Sequence, residues 1–199
     1  MSTSEHPELE PRMTAKEVAR FQTTLRTTRT YLEFGCGGST RLAAEADVAR
    51  IFSVDTDRNW IDACKRHPSI APLVHEGRAS FHWANVGPIG QWGYPADESR
   101  ARHWPSYSLA IWGIVGSELP DTVLVDGRWR VSAAVQTLLR CGPETVLLFH
   151  DFHRQAYRNI MPFVRETELV NTLLVCRPKP DLDVRALANL GFASLMAPR

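Results

Sequence analysis

Residues 30–40, Thr-Tyr-Leu-Glu-Phe-Gly-Cys-Gly-Gly-Ser-Thr, run from apolar positions through Glu33 to three glycines, Gly35, Gly37 and Gly38, directly before a helix-forming segment. The order reads as strand, tight turn, helix. Glycine suits such a turn because it tolerates positive φ and lets a ligand approach bare backbone. Ser39 or Thr40 is placed to cap the helix, whose free N–H groups would face whatever sits in the turn. A dinucleotide fingerprint, G-x-G-x-x-G, needs a third glycine to let helix and strand close together. Here Gly35-x-Gly37 is followed by Gly38, Ser39 and Thr40, so a nicotinamide oxidoreductase is disfavoured.

At 199 residues the chain is long enough for one domain with a full core. Residues 1–12 are polar and proline-containing and read as a flexible tail, leaving 13–199 as a single domain with a long loop insertion at about 87–119. The formal net charge is +1, so no global field draws in nucleic acid or an anionic membrane. No apolar run approaches the roughly 20 residues that span a bilayer, and the N-terminus lacks the basic and apolar regions of a leader, so the expected location is cytoplasmic. Four cysteines without a C-x-x-C pair argue against a zinc knot or redox dithiol. Oligomeric state is left open, a homodimer included.

Along the chain, residues 14–27 have helical spacing, with Thr14 as cap and Glu17 completing a capping box. After the glycine turn comes a helix over 39–46 and a second strand ending in Asp55-Thr-Asp57. Asp55 lies 22 positions beyond Glu33, the separation at which a nucleoside-binding α/β unit sets a carboxylate on ribose hydroxyls; Asp57 reads instead as a helix cap. Residues 79–87 read as the third strand, with Asn85 at its end. The long connection carries Trp92, Tyr94, Trp104 and Tyr107, either a substrate wall or a satellite core, and a short helix over 108–115. Arg100, Arg102 and His103 would give that wall a positive character suited to an anionic ligand. Val123 to Val125 is a buried central strand ending in Asp126 and Gly127, followed by a helix over 131–140. The fifth strand ends in His150 and Asp151, so two neighbouring strands end in acids. His150 reads as a proton acceptor beside a carboxylate or as a buried histidine that orders the turn. A helix over 157–161, two strands meeting near 170–172 and a helix over 181–190 stopped by Gly191 complete the chain.

Glu33-Phe34-Gly35-Cys36-Gly37 resembles motif I, E/D-x-G-x-G, of the class I S-adenosylmethionine (SAM)-dependent methyltransferases. The Asp-Gly-Arg-Trp-Arg and His-Asp-Phe stretches resemble those of small bacterial methyltransferase-like proteins. The resemblance implies an α/β, Rossmann-like fold: a mostly parallel seven-stranded sheet with an antiparallel terminal hairpin and helices on both faces. It implies SAM as cofactor, with Glu33, Gly35, Gly37, Gly38, Ser39, Asp55 and Asn85 around it; Glu33 would help hold the cationic amino-acid end, and Asn85 would meet the adenine. It places Asp126, His150 and Asp151 at the catalytic corner, with a small-molecule acceptor, anionic if the arginines bear on it, methylated on oxygen or nitrogen. A SAM- or nucleoside-binding protein without catalysis is the alternative. Metal-dependent O-methyltransferases of the catechol type hold magnesium on an acid after each of two neighbouring strands and an Asn. Asp126 and Asp151 match the acids, but Phe152 stands in place of Asn, so no metal is favoured.

Overall fold

The computed structural model describes residues 9–198. Strands β1 (Thr30–Phe34), β2 (Arg50–Asp55), β3 (Ala79–Trp83), β4 (Thr122–Val125), β5 (Val146–Phe149), β6 (Val164–Val170) and β7 (Leu173–Pro178) form one sheet in the order β3-β2-β1-β4-β5-β7-β6. β1 to β5 pair in parallel, and β7 lies antiparallel to both β5 and β6. This is the expected seven-stranded Rossmann-like sheet with a terminal hairpin. Strand order reverses between β1 and β4, which opens a crevice at their carboxyl ends.

Period-two alternation assigns each β1 side chain to a layer. Leu32 and Phe34 face α5 (Ser106–Leu109), α6 (Ile111–Val115), α7 (Arg130–Arg140) and α8 (Val184–Ser194), where Tyr107, Ile111, Val135 and Leu187 complete a core. Tyr31 faces α1 (Ala15–Leu25), α2 (Gly38–Glu45), α3 (Arg58–Arg66) and α4 (Ala71–His75), with Phe21, Leu42, Ile61 and Leu73. Thr14 and Glu17 form the expected capping box on α1, and Asp57 caps α3 by accepting from the Asn59 and Trp60 N–H groups. All four cysteines are buried and free. Among the described residues no helix is long and apolar enough to cross a membrane.

Several local expectations are corrected. Helix α2 opens at Gly38, with Gly37 before it; neither Ser39 nor Thr40 is its cap, because both hydroxyls turn back to Glu33. Gln155–Phe163 is a 3-10 run with Pro162 inside it rather than an α-helix, since Pro162 has no N–H to continue a ladder. Helix α8 runs through Gly191, where a Cβ would sit 3.0 Å from Val135 Cγ1. Glycine there serves close packing of α8 on α7, not termination. The helix expected over 108–115 is divided at Ala110 into α5 and α6. Of the segment read as a tail, residues 1–8 lie outside the described residues. Leu9 is buried, and its carbonyl accepts from Arg41 Nε at 2.8 Å.

Glu33 shares its face with Tyr31 and lies directly opposite Ser53 in the β1–β2 register. It is fully buried. Its Oε2 accepts from Tyr31 Oη at 3.0 Å and Ser39 Oγ at 2.6 Å; its Oε1 accepts from Ser53 Oγ at 2.6 Å and from the Thr40 hydroxyl. Thr40 Oγ1 in turn accepts from the Gly37 N–H at 2.8 Å. The carboxylate thus fastens β1, β2 and the first turn of α2 together and sets the shape of the glycine turn. Burial raises its pKa to about 7, against the pull of the four hydroxyls.

Two outcomes follow for Glu33. Glu33→Ala orphans four buried hydroxyls and should destabilise the fold by about 3 kcal/mol or more in urea unfolding. Folded Glu33 keeps its proton up to about pH 7, whereas the unfolded chain releases it near 4.5, so the folded state binds more protons between those values. Its contribution therefore makes stability fall as pH rises from about 4.5 to about 7. Subtracting the Glu33→Gln profile from that of the wild type should expose this slope.

Candidate functional site

The crevice at the carboxyl ends of β1, β2, β4 and β5 holds a cavity of about 810 Å³. That lies within the range of about 300–1,000 Å³ common for small-molecule sites. One side is the glycine turn. Gly35 has φ +100°, and a Cβ there would lie 2.8 Å from the Cα of Gly127, so the backbones after β1 and β4 touch across the crevice. Trp60 donates from Nε1 to the Cys36 carbonyl at 2.8 Å, and its ring lies beside Gly37. Gly35, Gly37, Gly38, Ser39 and Asp55 all line the cavity. Asp55 accepts from the Cys36 N–H at 3.1 Å through Oδ2 and from the Asp57 N–H at 3.0 Å through Oδ1. Each oxygen retains a lone pair for a ligand hydroxyl. Burial raises the Asp55 pKa.

Two expected ligands lie elsewhere. Glu33 does not line the cavity, because strand alternation turns it beneath α2, where its four hydroxyl partners hold it. Asn85 is also outside the cavity lining; β3 ends at Trp83, and Asn85 Oδ1 accepts from the Gly87 N–H at 3.4 Å, closing a local turn. The aromatics of the long connection divide. Trp104 and Tyr107 are buried against Trp129, with ring centroids 5.8 and 5.2 Å away; Tyr107 also lines the cavity, as do Trp92 and Tyr94, and Trp104 does not. Arg100, Arg102 and His103 do not border it.

The opposite side brings Asp126, His150 and Asp151 together, as the acid-ended strands suggested. His150 Nδ1 lies 2.8 Å from Asp126 Oδ1, and Nε2 lies 3.7 Å from Glu17 Oε2 on α1. Both ring nitrogens therefore face carboxylates. Burial pulls the His150 pKa down, but the hydrogen bond and charge of Asp126, with Asp151 and Glu17, outweigh it and raise the value. Glu17 is itself held at about 2: burial opposes ionisation, but N–H and hydroxyl donors of Thr14 and Thr172 prevail. Beneath the corner lies Arg130, whose side chain is 4% exposed. It ion-pairs with Asp126 at 3.3 Å and Asp151 at 3.0 Å and donates to the carbonyls of Gly127, Asp126 and His150 at 2.9, 2.7 and 2.6 Å.

Solved structures with a similar fold include a methyltransferase-like protein from Silicibacter pomeroyi, 29% identical, matching 95% of this chain and 98% of that one at a TM-score of 0.77. The chain has the class I methyltransferase fold. A cofactor-bound protein from MTB, 11% identical, covers 89% of this chain and 85% of its own at TM-score 0.60. An O-methyltransferase from Bacillus cereus in complex with SAH, 15% identical, covers 94% and 71% at 0.51. At those identities the last two share the fold alone. No protein-family model matches the sequence, and the search of curated proteins found no match.

Within this methyltransferase fold the acidic corner invites a test for a divalent ion. Asp126, His150 and Asp151 offer ligand atoms within 4.8 Å of one another. Arg130 already supplies a fixed positive charge to both carboxylates, and His150 Nδ1 is bonded to Asp126. A resident cation would face that guanidinium at close range, and Phe152 adds no oxygen ligand. The donor set does not fit a resident metal.

The sequence reading missed Arg130, Glu17 and the 10–13 segment that borders the cavity. Arg130 was legible in principle: an arginine four positions after a strand-ending Asp, opening a helix, returns to that Asp. Glu17 read only as a cap, since nothing local signals that its second oxygen reaches Thr172. Removing the guanidinium takes from Asp126 and Asp151 their shared buried counter-charge and from three carbonyls their donor, so Arg130→Ala should destabilise the fold by about 3 kcal/mol in denaturant titration. Arg130→Lys should recover only part of this, because one ammonium cannot span both acids and three carbonyls.

Proposed function

We propose that the protein is a SAM-dependent methyltransferase acting on a small-molecule acceptor, by transfer to oxygen or nitrogen. The observation that carries this reading is a single cavity at the sheet's switch point, walled on one side by the glycine turn with Asp55 and on the other by the Asp126–His150 pair. The likeness to the Silicibacter pomeroyi protein over nearly both whole chains supports it. The same reading takes residues 13–199 as one methyltransferase-like domain in a bacterial cytoplasm.

SAM, when bound, supplies an electrophilic methyl group on a sulfonium. The chain's residues fit such a donor: Gly35, Gly37 and Gly38 leave the backbone of the turn bare, Asp55 keeps lone pairs for ribose hydroxyls, and Trp60 offers an aromatic edge beside the turn. Glu33 acts from below by holding that turn in shape rather than by touching the donor. On the acceptor side, an oxygen or nitrogen gives up a proton as it is alkylated. Asp126, with its side chain 26% exposed at the cavity, is the carboxylate placed to take it. His150 serves as a positioning residue, because Nδ1 is bonded to Asp126 and Nε2 faces the Glu17 carboxylate at 3.7 Å. Packing around the cavity aligns the reacting atoms and excludes water.

That commitment of His150 also favours a second reading, a SAM- or nucleoside-binding protein that does not catalyse transfer. Product formation on a panel of hydroxyl and amine acceptors separates the two. Titration calorimetry with SAH should give one site per chain, and Asp55→Ala should weaken it about tenfold or more; wild-type protein that binds neither SAM nor SAH would remove the methyltransferase reading and the SAM-binding form of the second. Where turnover is found, Asp126→Asn should lower it about 10²-fold or more while leaving SAH affinity near that of the wild type. A chelator should leave turnover unchanged, since Arg130 occupies the position of charge that a metal would fill.

A further inference from the structure

Once the corner's charges are paired, the cavity retains cations that nothing among the described residues neutralises. Arg130 answers Asp126 and Asp151, and Arg154 lies 3.4 Å from Asp151. Arg128, two residues after Asp126, forms no ion pair among the described residues, and its buried Nε has no hydrogen-bond partner. Its guanidinium is nevertheless held in place. The Cζ lies 4.0 Å from the centroid of the Tyr94 ring, and the backbone N–H of Arg128 donates to Tyr107 Oη at 3.1 Å. Arg154 lines the same cavity and donates to Tyr157 Oη at 3.2 Å. Arg12, stacked 4.1 Å over Trp92, borders the same space.

A guanidinium stacked on an aromatic ring with its donors free is a preorganised receptor for a planar or tetrahedral anion. Tyr94, Arg128 and Arg154 come from three separate elements, the long connection, the turn before α7 and the segment after β5, and meet on the side of Asp126 and Asp151. We infer that Arg128, set by Tyr94 and supported by Arg154, forms an anion subsite that selects acceptors bearing a carboxylate or phosphate near the nucleophile. This rests on the methyltransferase reading for the word acceptor, but not for the existence of the subsite. The same chemistry could serve the α-carboxylate of the methyl donor, so the test has an arm for each source.

The protein saturated with SAH is titrated calorimetrically with 4-hydroxybenzoate, phenyl phosphate and the neutral 4-hydroxybenzamide. The anionic probes should bind about tenfold or more tightly than the amide. Arg128→Gln should abolish that preference, and Tyr94→Leu, which keeps the guanidinium but removes its platform, should weaken it; unchanged melting temperatures exclude misfolding as the cause. SAH affinity should be the same in all three proteins. A tenfold loss of SAH affinity in Arg128→Gln would assign the arginine to the donor's carboxylate and overturn the acceptor subsite, as would equal binding of anionic and neutral probes. The probes are also titrated without SAH. If the wild type binds no SAH yet prefers the anions through Arg128, the methyltransferase reading fails and the anion subsite stands.

Discussion

A carboxylate sealed under the glycine turn holds the architecture of the site together. Glu33 sits on the inward face of β1, and hydroxyls from β1, β2 and the start of α2 converge on its two oxygens. Thr40 passes the constraint to the Gly37 N–H, so the turn's backbone inherits its position from a group that never meets the cavity. A buried carboxyl group bonded to four hydroxyls is intolerant of partial satisfaction, which makes such a network rigid. The same turn is pressed from the other side, where Gly35 and Gly127 meet without room for a side chain. The crevice is therefore shaped by contact below and across, before any ligand is considered.

The facing corner follows a similar logic with the opposite sign. Three carboxylates, Glu17, Asp126 and Asp151, approach one another around His150. Unscreened they would repel. Arg130 inserts a buried guanidinium between two of them, and the raised His150 pKa favours an imidazolium between Asp126 and Glu17. In the metal-dependent O-methyltransferases that the sequence resembles at these two acids, a divalent cation serves the corresponding positions; here the Arg130 side chain pairs with both, fixed by three carbonyls. The arrangement ties α1, β4, β5 and α7 to one electrostatic centre. The N-terminal helix thus belongs to the site and does more than cover a sheet edge.

Much of the fold was legible because it rests on local regularities. Continuous apolar runs marked the central strands, acids marked their ends, and the glycine turn, the Thr14–Glu17 box and the Asp57 cap were each read from short spacings. The errors share a cause. Ser39 and Thr40 read as caps because capping is the local use of a hydroxyl, yet a nonlocal acceptor took them. Gly191 read as a stop because its packing partner, Val135, lies on another helix. Asn85 was assigned by resemblance to a place at the end of a longer strand than the one that forms.

What the sequence by itself determined was the order of elements, the position of the turn and the identity of the acids that end β4 and β5, since these depend on neighbours a few residues apart. Only the tertiary structure decided which of those groups reach the cavity. Strand pleating turned Glu33 away from it, helix α1 carried Glu17 beneath His150, and α7 returned Arg130 to both acids. The physical reason is that burial and charge compensation depend on through-space distances between segments far apart in the chain, which no local spacing encodes.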